Sequence, residues 1–277
     1  KKKRPEVIVA VIGCMAQRLG TKLLEHENVD LVAGPAQIHE LPGMIEQALS
    51  DHQKHIAVTE KIRQPVTDTQ VIATESALDE FESAYDSDQN HIKSQAFIRA
   101  MRGCNNFCTY CIVPLVRGRS RSLKSVRAIA AIRELMNRGL SEVVLTGIHL
   151  GQYGYDLDPV CTLEDLLDLY LKEMMPGRIR LSSMEPLEIT PRLVNVLAGA
   201  GGRICRHIHI PMQSGSDRIL KIMERPYTRE HFIEAVKTLT GSVPGIGNDT
   251  LLSGDDVFIK CISINACPSF ATFINVS

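Results

Sequence analysis

The sequence lacks an apolar run of the ~18 residues that a membrane-spanning helix requires, and no charged and then apolar signal segment opens it. These absences argue against a secreted or membrane-embedded protein and predict a cytoplasmic one. The chain also lacks an excess of charge of one sign, since its net charge is −1, which argues against a strongly basic nucleic-acid binder. With 277 residues, 44% hydrophobic and 23% charged, it has room for one large or two modest soluble domains. It begins at Lys1 rather than Met, so we expect a fragment of a longer protein.

Cysteines are present in an informative arrangement. Of the eight, three lie within one short loop, Cys104, Cys108 and Cys111, which favours reduced thiols and a metal over disulfides. Three thiolates suit a four-iron cluster and leave one iron open to a substrate. Zinc sites also use short cysteine spacings, and the spacing alone does not decide between the two metals. Zinc is disfavoured because no fourth Cys or His lies close by in the sequence.

Basic residues are concentrated around this loop. Between Arg99 and Leu140 there are nine Lys or Arg and one acid, Glu134. Two interpretations remain open, a solvated helix face with a basic collar around the cysteine loop, or a surface that follows the phosphates of a nucleic acid.

Two series of alternating strands and helices predict the fold. In the first, apolar strands at 6–13 and 29–34 alternate with helical patterns at 17–25 and 38–49. In the second, the strands and helices alternate along residues 95–239. The predicted strands are 95–101, 142–146, 178–182 and 207–210, and the predicted helices begin near Ser122 and lie at 163–174, 192–197, 219–223 and 230–239.

This pattern predicts an α/β protein, with part of a doubly wound domain followed by a partial parallel (β/α) barrel that is incomplete at its carboxyl end. The predicted domains are 1–50, a linker at 51–92, a core at 93–247 and an atypical tail at 248–277. Ligands of such sheets bind at the carboxyl ends of the strands, so the loops that follow them are the candidate site.

Five segments resemble one family, the radical S-adenosylmethionine (SAM) methylthiotransferases. They are VIGCMAQ (11–17), GCNNFCTYCIVPLVRG (103–118), VVLTGIHLGQYGYDL (143–157), RIRLSSMEP (178–186) and HIHIPMQSGSDRILKIMERPYT (207–228). The forms TGIHLG and SSMEP look most like the branch that modifies N6-threonylcarbamoyladenosine in tRNA. The isopentenyladenosine branch is the close rival, and the branch that acts on a ribosomal protein is less similar.

The resemblance implies a set of cofactor ligands. Cys104, Cys108 and Cys111 would hold a [4Fe–4S] cluster whose open iron binds SAM. The loop at Thr146, Gly147 and His149 would serve the methionine amino group of SAM. Other loop residues would lie near its ribose, carboxylate and adenine, namely Ser183, Glu185, Gln213 and Ser214.

Cys14 matches the last of three family cysteines that hold an auxiliary [4Fe–4S] cluster, the source of the inserted sulfur. The other two would lie upstream of Lys1. One thiolate cannot hold that cluster, so we expect this polypeptide to generate the radical but not to insert sulfur.

The resemblance implies a tRNA methylthiotransferase that adds a methylthio group at C2 of a modified adenosine beside the anticodon. It also implies a flavodoxin-like or ferredoxin-like electron donor. Phosphates of the anticodon loop would contact Arg117, Arg119, Arg121, Lys124 and Arg127. The competing interpretation is a zinc-stabilised RNA-binding module without catalysis.

Overall fold

The structure is a computed structural model that describes residues 4, 6–59, 95–243 and 245–246. The chain divides into two compact units, and the cysteine loop is shared between them. Residues 103–105 and 111–119 belong with the amino-terminal segment in the first unit, and residues 106–110 belong with the second. The predicted tail at 248–277 and most of the predicted linker lie outside the described residues. No helix among the described residues is long and apolar enough to cross a membrane.

The first unit contains a parallel sheet in the order β1-β2-β3. Its strands are β1 (Ala10–Ile12), β2 (Leu31–Ala33) and β3 (His55–Ala57), and its helices are α1 (Cys14–Leu19), α2 (Thr21–Leu24), a 3₁₀ helix (Pro35–Glu40) and α3 (Leu41–Asp51). β2 is buried on both faces, because Leu31 and Ala33 join α3 residues in one apolar cluster while Val32 joins Ala16 of α1 in another. This is the arrangement that a continuous apolar strand predicts.

Two features of the first unit differ from the sequence prediction. The helix expected at 17–25 is divided at Gly20, which has φ +52° and separates α1 from α2. β3 lies inside the segment predicted as a linker, and it pairs in parallel register with β2, from Leu31 opposite His55 to Ala33 opposite Ala57. The sheet therefore extends at least to residue 57.

The second unit is built on the parallel sheet β4-β7-β8. These strands are β4 (Gln95–Arg99), β7 (Glu142–Thr146) and β8 (Arg178–Leu181). The strand predicted at 207–210 is wrong as a full strand, because the structure has only isolated parallel bridges there, Ile179 with Ile204 and Ser183 with His209. In the described residues the parallel sheet does not close into a barrel, and the predicted α/β class with a partial barrel is confirmed.

Four helices form one large apolar core with this sheet, α5 (Ser125–Asn137), α6 (Leu163–Lys172), α7 (Pro191–Gly199) and α9 (Arg229–Ser242). A shorter helix, α8 (Asp217–Ile222), lies between α7 and α9 in the sequence. α6 begins with a capping box in which Thr162 and Asp165 satisfy each other's backbone amides, as a Thr before an apolar helical pattern predicts. The cysteine loop leaves the sheet between two short antiparallel strands, β5 (Met101–Arg102) and β6 (Arg121–Ser122), and contains the short helix α4 (Val113–Val116).

A buried carboxylate joins the amino ends of the strands. Glu142 of β7 accepts hydrogen bonds from Arg178 Nε (2.8 Å) and Arg180 Nε (2.6 Å) of β8, and from Cys205 Sγ (3.2 Å). Gln95 of β4 donates to the same carboxylate. Burial alone would raise the pKa of Glu142, but these donors outweigh it and lower the pKa to about 2. These hydrogen-bonded side chains lie at the amino ends of the strands, opposite to the candidate site at their carboxyl ends. Their role is to stabilise the sheet.

Candidate cofactor site

The loop after β7 begins with residues that the sheet itself holds. Thr146 Oγ1 donates to the carbonyl of Ile98 (3.2 Å), and the Thr146 carbonyl accepts the amide of Ala100 (2.8 Å). Gly147 packs so closely against the Met101 side chain that a Cβ would overlap it. Thr146 and Gly147 therefore have clear structural roles, and their predicted contact with the methionine amino group of SAM stays a prediction.

His149 lies in a group of buried and half-buried polar side chains that links two of the predicted loops. Its ring contacts the Glu188 carboxylate, and its Nε2 lies 3.9 Å from Glu185 Oε2. Glu188 also accepts the backbone amide of Glu185 (2.8 Å). Gly151 makes room for this group, because a Cβ there would overlap the Glu188 side chain. The structure thus brings together the predicted residues His149 and Glu185 and adds Glu188, which sequence analysis did not select.

Ser183 is paired with a histidine on the next segment. Its Oγ lies 2.6 Å from His209 Nδ1, and the two residues are also joined by the parallel bridge. This pair therefore places polar groups at the carboxyl end of β8 and on the segment around His209.

Gln213 and Ser214 lie in a tight turn after that segment. Gln213 adopts φ +61°, which is uncommon for a residue with a side chain, and the Ser214 amide donates to the carbonyl of Met212 (2.7 Å). Such backbone strain is frequent in ligand-binding loops, but no contact of either side chain here identifies a ligand. Their predicted place above the adenine stays a prediction.

The three loop cysteines form no disulfide in the part of the chain that the structure describes. Cys104 and Cys108 are buried, and Cys111 is half-buried. Gly103 has φ +63°, and a Cβ there would overlap the carbonyl of Arg119, so this glycine lets the loop backbone close on itself before Cys104. Three soft, largely buried thiol donors fit an iron–sulfur cluster chemically. Within the described ranges no three His, Cys, Asp or Glu side chains are grouped as metal ligands, so the cluster assignment remains a prediction from the motif and its donor chemistry.

The second half of the cysteine loop is held by the end of α8. Thr109 donates through its amide to the carbonyl of Met223 (3.2 Å) and through its hydroxyl to the carbonyl of Ile222 (3.1 Å). These carbonyls belong to the last turn of a helix, where no intrahelical donor exists. The loop therefore satisfies the helix end, and the helix end fixes the loop.

Arg225, three residues beyond this helix end, is not among the site residues predicted from the sequence. Its guanidinium donates to Cys108 Sγ (2.9 Å) and to Glu185 Oε1 (2.8 Å). Asn106 Nδ2, from the cysteine loop, also lies 3.3 Å from Glu185 Oε1. Burial alone would lower the pKa of Arg225, but the Glu185 carboxylate more than compensates and raises it, so the guanidinium stays charged.

In the first unit, Cys14 begins α1 and is half-buried. Arg117 Nε lies 3.3 Å from its Sγ, and α1 packs against α4. Arg117, which we predicted to bind RNA phosphate, thus contacts the cysteine predicted to bind the auxiliary cluster.

The other predicted RNA-binding residues are divided between the units. Arg119 belongs with Arg117 in the first unit, whereas Arg121, Lys124 and Arg127 belong to the second. The Arg119, Lys124 and Arg127 side chains are exposed and Arg121 is half-buried. The RNA contacts of all five residues stay predictions.

Comparison with known proteins decides the family. The family model described as "Radical SAM superfamily" matches residues 98–256, more than half of the chain. The chain belongs to the radical SAM superfamily. Enzymes of this superfamily use a [4Fe–4S] cluster and SAM, so the cofactor prediction is confirmed at the level of the superfamily.

Two relatives refine the comparison. This chain is 37% identical over 253 residues to the tRNA-2-methylthio-N(6)-dimethylallyladenosine synthase of Moorella thermoacetica, covering 90% of this chain and 53% of that protein. It is 38% identical over 253 residues to the synthase of the same name from Bacteroides fragilis, covering 90% and 51%. The radical SAM chain thus spans about half the length of the curated relatives that it matches. The resemblance to methylthiotransferases is confirmed, whereas the threonylcarbamoyl branch is not supported by these names.

A solved structure supports the same fold. The apo form of the cobalamin-dependent S-adenosylmethionine radical enzyme OxsB matches with a TM-score of 0.50 and 13% identity, covering 86% of this chain and 40% of that one. At this identity the likeness concerns the fold alone.

Proposed function

We propose that this chain is the portion of a tRNA methylthiotransferase that contains the radical SAM core, and that its substrate carries an N6-dimethylallyladenosine. The observation that carries the proposal is the 37–38% identity over 90% of the chain to synthases named for the 2-methylthio derivative of that nucleoside. The three cysteines of the loop, which form no disulfide among the described residues, and the polar residues at the carboxyl ends of the strands support it. The alternative of a zinc-stabilised RNA-binding module is not favoured, because the superfamily is one of enzymes.

In this proposal Cys104, Cys108 and Cys111 hold the cluster. With an electron from an external donor, the bound cluster and SAM would supply the radical chemistry that activates the substrate carbon. The chain's own contribution is to bind and shield, since Cys104 and Cys108 are buried and their loop is fixed by Thr109. The carboxylates of Glu185 and Glu188 and the hydroxyl of Ser183 provide acceptors for the ammonium and ribose groups of SAM.

The test of this site is anaerobic reconstitution with iron and sulfide, followed by iron counting and a 5′-deoxyadenosine assay with SAM and dithionite. We expect about four irons per chain and release of 5′-deoxyadenosine, because three cysteines suit one four-iron cluster. Cys108→Ala should lose both signals. Cys161→Ala, which removes a half-buried free thiol outside the motif, is the matched control and should keep both. Tightly bound zinc without iron would refute the proposal.

Cys14 would contribute one ligand to the auxiliary cluster, together with cysteines outside this sequence. We expect a longer chain that includes those cysteines to bind about four further irons. In that chain, Cys14→Ala should lose the added irons and keep the radical cluster. An equal iron content in the longer chain and in its Cys14→Ala variant would contradict this assignment.

The proposed substrate is tested by binding. Anticodon stem-loop RNAs that carry N6-dimethylallyladenosine, N6-threonylcarbamoyladenosine or unmodified adenosine would be compared by fluorescence anisotropy. We expect the dimethylallyl RNA to bind most tightly. Tightest binding of the threonylcarbamoyl RNA would instead support the branch that the TGIHLG and SSMEP motifs resemble, and equal binding of all three would contradict recognition of the modified base.

The proposed phosphate contacts are tested in the same assay. Lys124→Gln and Arg127→Gln together should weaken binding and reduce the slope of log K against log salt by about one to two, because each phosphate contact adds roughly 0.7–0.9 to that slope. Arg133→Gln is the control, since Arg133 is already paired with Glu173 at 2.8 Å. An unchanged slope in the double variant would remove these residues from the RNA interface.

A further inference from the structure

Arg225 is a buried cation placed between a cysteine of the motif and a carboxylate. Only 6% of its side chain is exposed. Beyond Cys108 and Glu185, its Nε lies 3.3 Å from the Tyr227 hydroxyl, and its guanidinium lies 5.1 Å from the centre of the Tyr227 ring. A buried guanidinium without partners would be strongly unfavourable, so this arrangement defines the position of Arg225 closely.

The backbone before Arg225 directs it toward the cysteine loop. The chain leaves α8 in a Schellman turn, in which the Arg225 amide donates to the carbonyl of Leu220 (3.0 Å) and the Glu224 amide donates to that of Lys221 (3.1 Å). Glu224 takes the left-handed position of this turn, with φ +53°. Because Thr109 binds the last carbonyls of the same helix, the turn and the loop form one hydrogen-bonded assembly.

This geometry has a consequence for a metal held by Cys108. A cysteine that ligates iron is a thiolate, and an N–H donor stabilises its negative charge. Hydrogen bonds to the sulfurs are among the factors that set the reduction potential of iron–sulfur clusters. Each reduction adds one electron to the cluster, so a fixed positive charge beside a ligating sulfur favours the reduced form.

We propose that Arg225 is a positioning residue for the cluster, which holds the Cys108 sulfur and raises the reduction potential of the cluster that this sulfur ligates. Glu185 is the counterion that keeps the guanidinium in place. The proposal rests on the proposed function, because it requires a cluster on the three cysteines.

The test is a redox titration of the reconstituted protein, monitored by the electron paramagnetic resonance signal of the reduced cluster. Arg225→Gln removes the positive charge and the guanidinium N–H donors, and it should shift the midpoint potential to a more negative value. Arg225→Lys keeps the positive charge but loses the planar guanidinium group that contacts Cys108 and Glu185 at once, and it should shift the potential in the same direction by less.

Arg203→Gln is the matched control. Arg203 also lies over a tyrosine ring, 4.6 Å from the centre of Tyr170, but donates to the carbonyls of Tyr170 and Leu171 rather than to a motif cysteine. This variant should keep the wild-type potential. An equal negative shift in Arg203→Gln would show a general effect of lost positive charge and would overturn the proposal.

The remaining outcomes separate the proposal from the function on which it rests. A wild-type protein that binds no iron contradicts the proposed function itself. A wild-type four-iron cluster with unchanged potentials in both Arg225 variants overturns the role of Arg225 alone. If Arg225→Gln fails to fold by circular dichroism, Arg225→Lys decides the question by its potential.

Discussion

The buried carboxylate of Glu142 gives the sharpest stability prediction, through the substitution Glu142→Gln. The side chain is 8% exposed and joins β7 to β4, to β8 and to Cys205. Glutamine has the same shape but is neutral, and its amide nitrogen turns a donor toward groups that are themselves donors. The variant therefore removes the charge while preserving the volume.

The magnitude follows from the pKa of this carboxyl group. A fall of this pKa from 4.5 to about 2 on folding corresponds to about 3.5 kcal/mol, at roughly 1.4 kcal/mol for each pKa unit. Removing one member of a buried ion pair costs about 3–5 kcal/mol in other proteins, and the lower value suits this site because Arg178 is 42% exposed. We expect Glu142→Gln to lower the free energy of unfolding by about 3 kcal/mol at pH 7.

The pH dependence has a definite sign. Because the folded pKa is lower than the unfolded one, the stabilisation is fully present above pH 4.5 and is lost as the pH falls toward 2. Roughly half of it should be gone at pH 3. The difference between wild type and Glu142→Gln should therefore shrink from about 3 kcal/mol at pH 7 to less than about 2 kcal/mol at pH 3.

The measurement is urea unfolding followed by far-ultraviolet circular dichroism at both pH values. Glu173→Gln is the control, since the exposed Arg133–Glu173 pair (2.8 Å) should contribute less than about 1 kcal/mol. A Glu142→Gln difference that is the same at pH 7 and pH 3 would refute the reasoning, because the cost would then not arise from the carboxylate charge.

Three further substitutions test local features by the same unfolding measurement. Thr162→Ala removes the N-cap of α6 and should cost about 1 kcal/mol, whereas no change would mean that the capping box is not needed. Tyr153→Phe removes a hydroxyl that donates to the carbonyl of the half-buried Leu123 (2.7 Å) and should cost about 1–2 kcal/mol; a neutral result would indicate that water replaces the donor. Glu224→Gly relieves the left-handed conformation after α8 and should stabilise the protein by about 0.5 kcal/mol, and a loss would show that the Glu side chain contributes more than the strain costs.

Periodicity predicted most elements of the fold because most are locally determined. β7 was predicted at 142–146 and lies at Glu142–Thr146, and α6 begins at Leu163 as its Thr cap indicates. β3 has three residues with no continuous apolar run, and it exists because β2 offers a parallel edge. The strand predicted at 207–210 has the apolar pattern, but its backbone makes only isolated bridges with β8. Whether such short segments become strands depends on the neighbouring strand with which they pair, and that pairing cannot be read from a single sequence.

The candidate site shows the same division between local and distant determinants. The cysteine loop and the β7 and β8 loops are recognisable because each is a contiguous motif. Arg225 lies 117 residues from Cys108, and its role depends on the turn after α8 and on the Thr109 contacts. Its signal in the sequence was a single Arg between a helix end and Pro226, which is equally typical of an exposed surface residue. Only the folded chain shows that its charge is buried.

The contacts of Glu185 also change how its predicted role must be understood. The family resemblance predicts that Glu185 lies near the ribose and carboxylate of SAM, but a carboxylate repels a second carboxylate unless a cation lies between them. Arg225 is that cation, paired with Glu185 Oε1 at 2.8 Å, and the Glu185 carboxylate raises its pKa further. A carboxylate of SAM in this region would therefore face the guanidinium, and Glu185 would face the ammonium or a hydroxyl. The charge of Arg225 and of Glu185, more than the place of either residue in a motif, therefore determines which group of SAM each side chain would face.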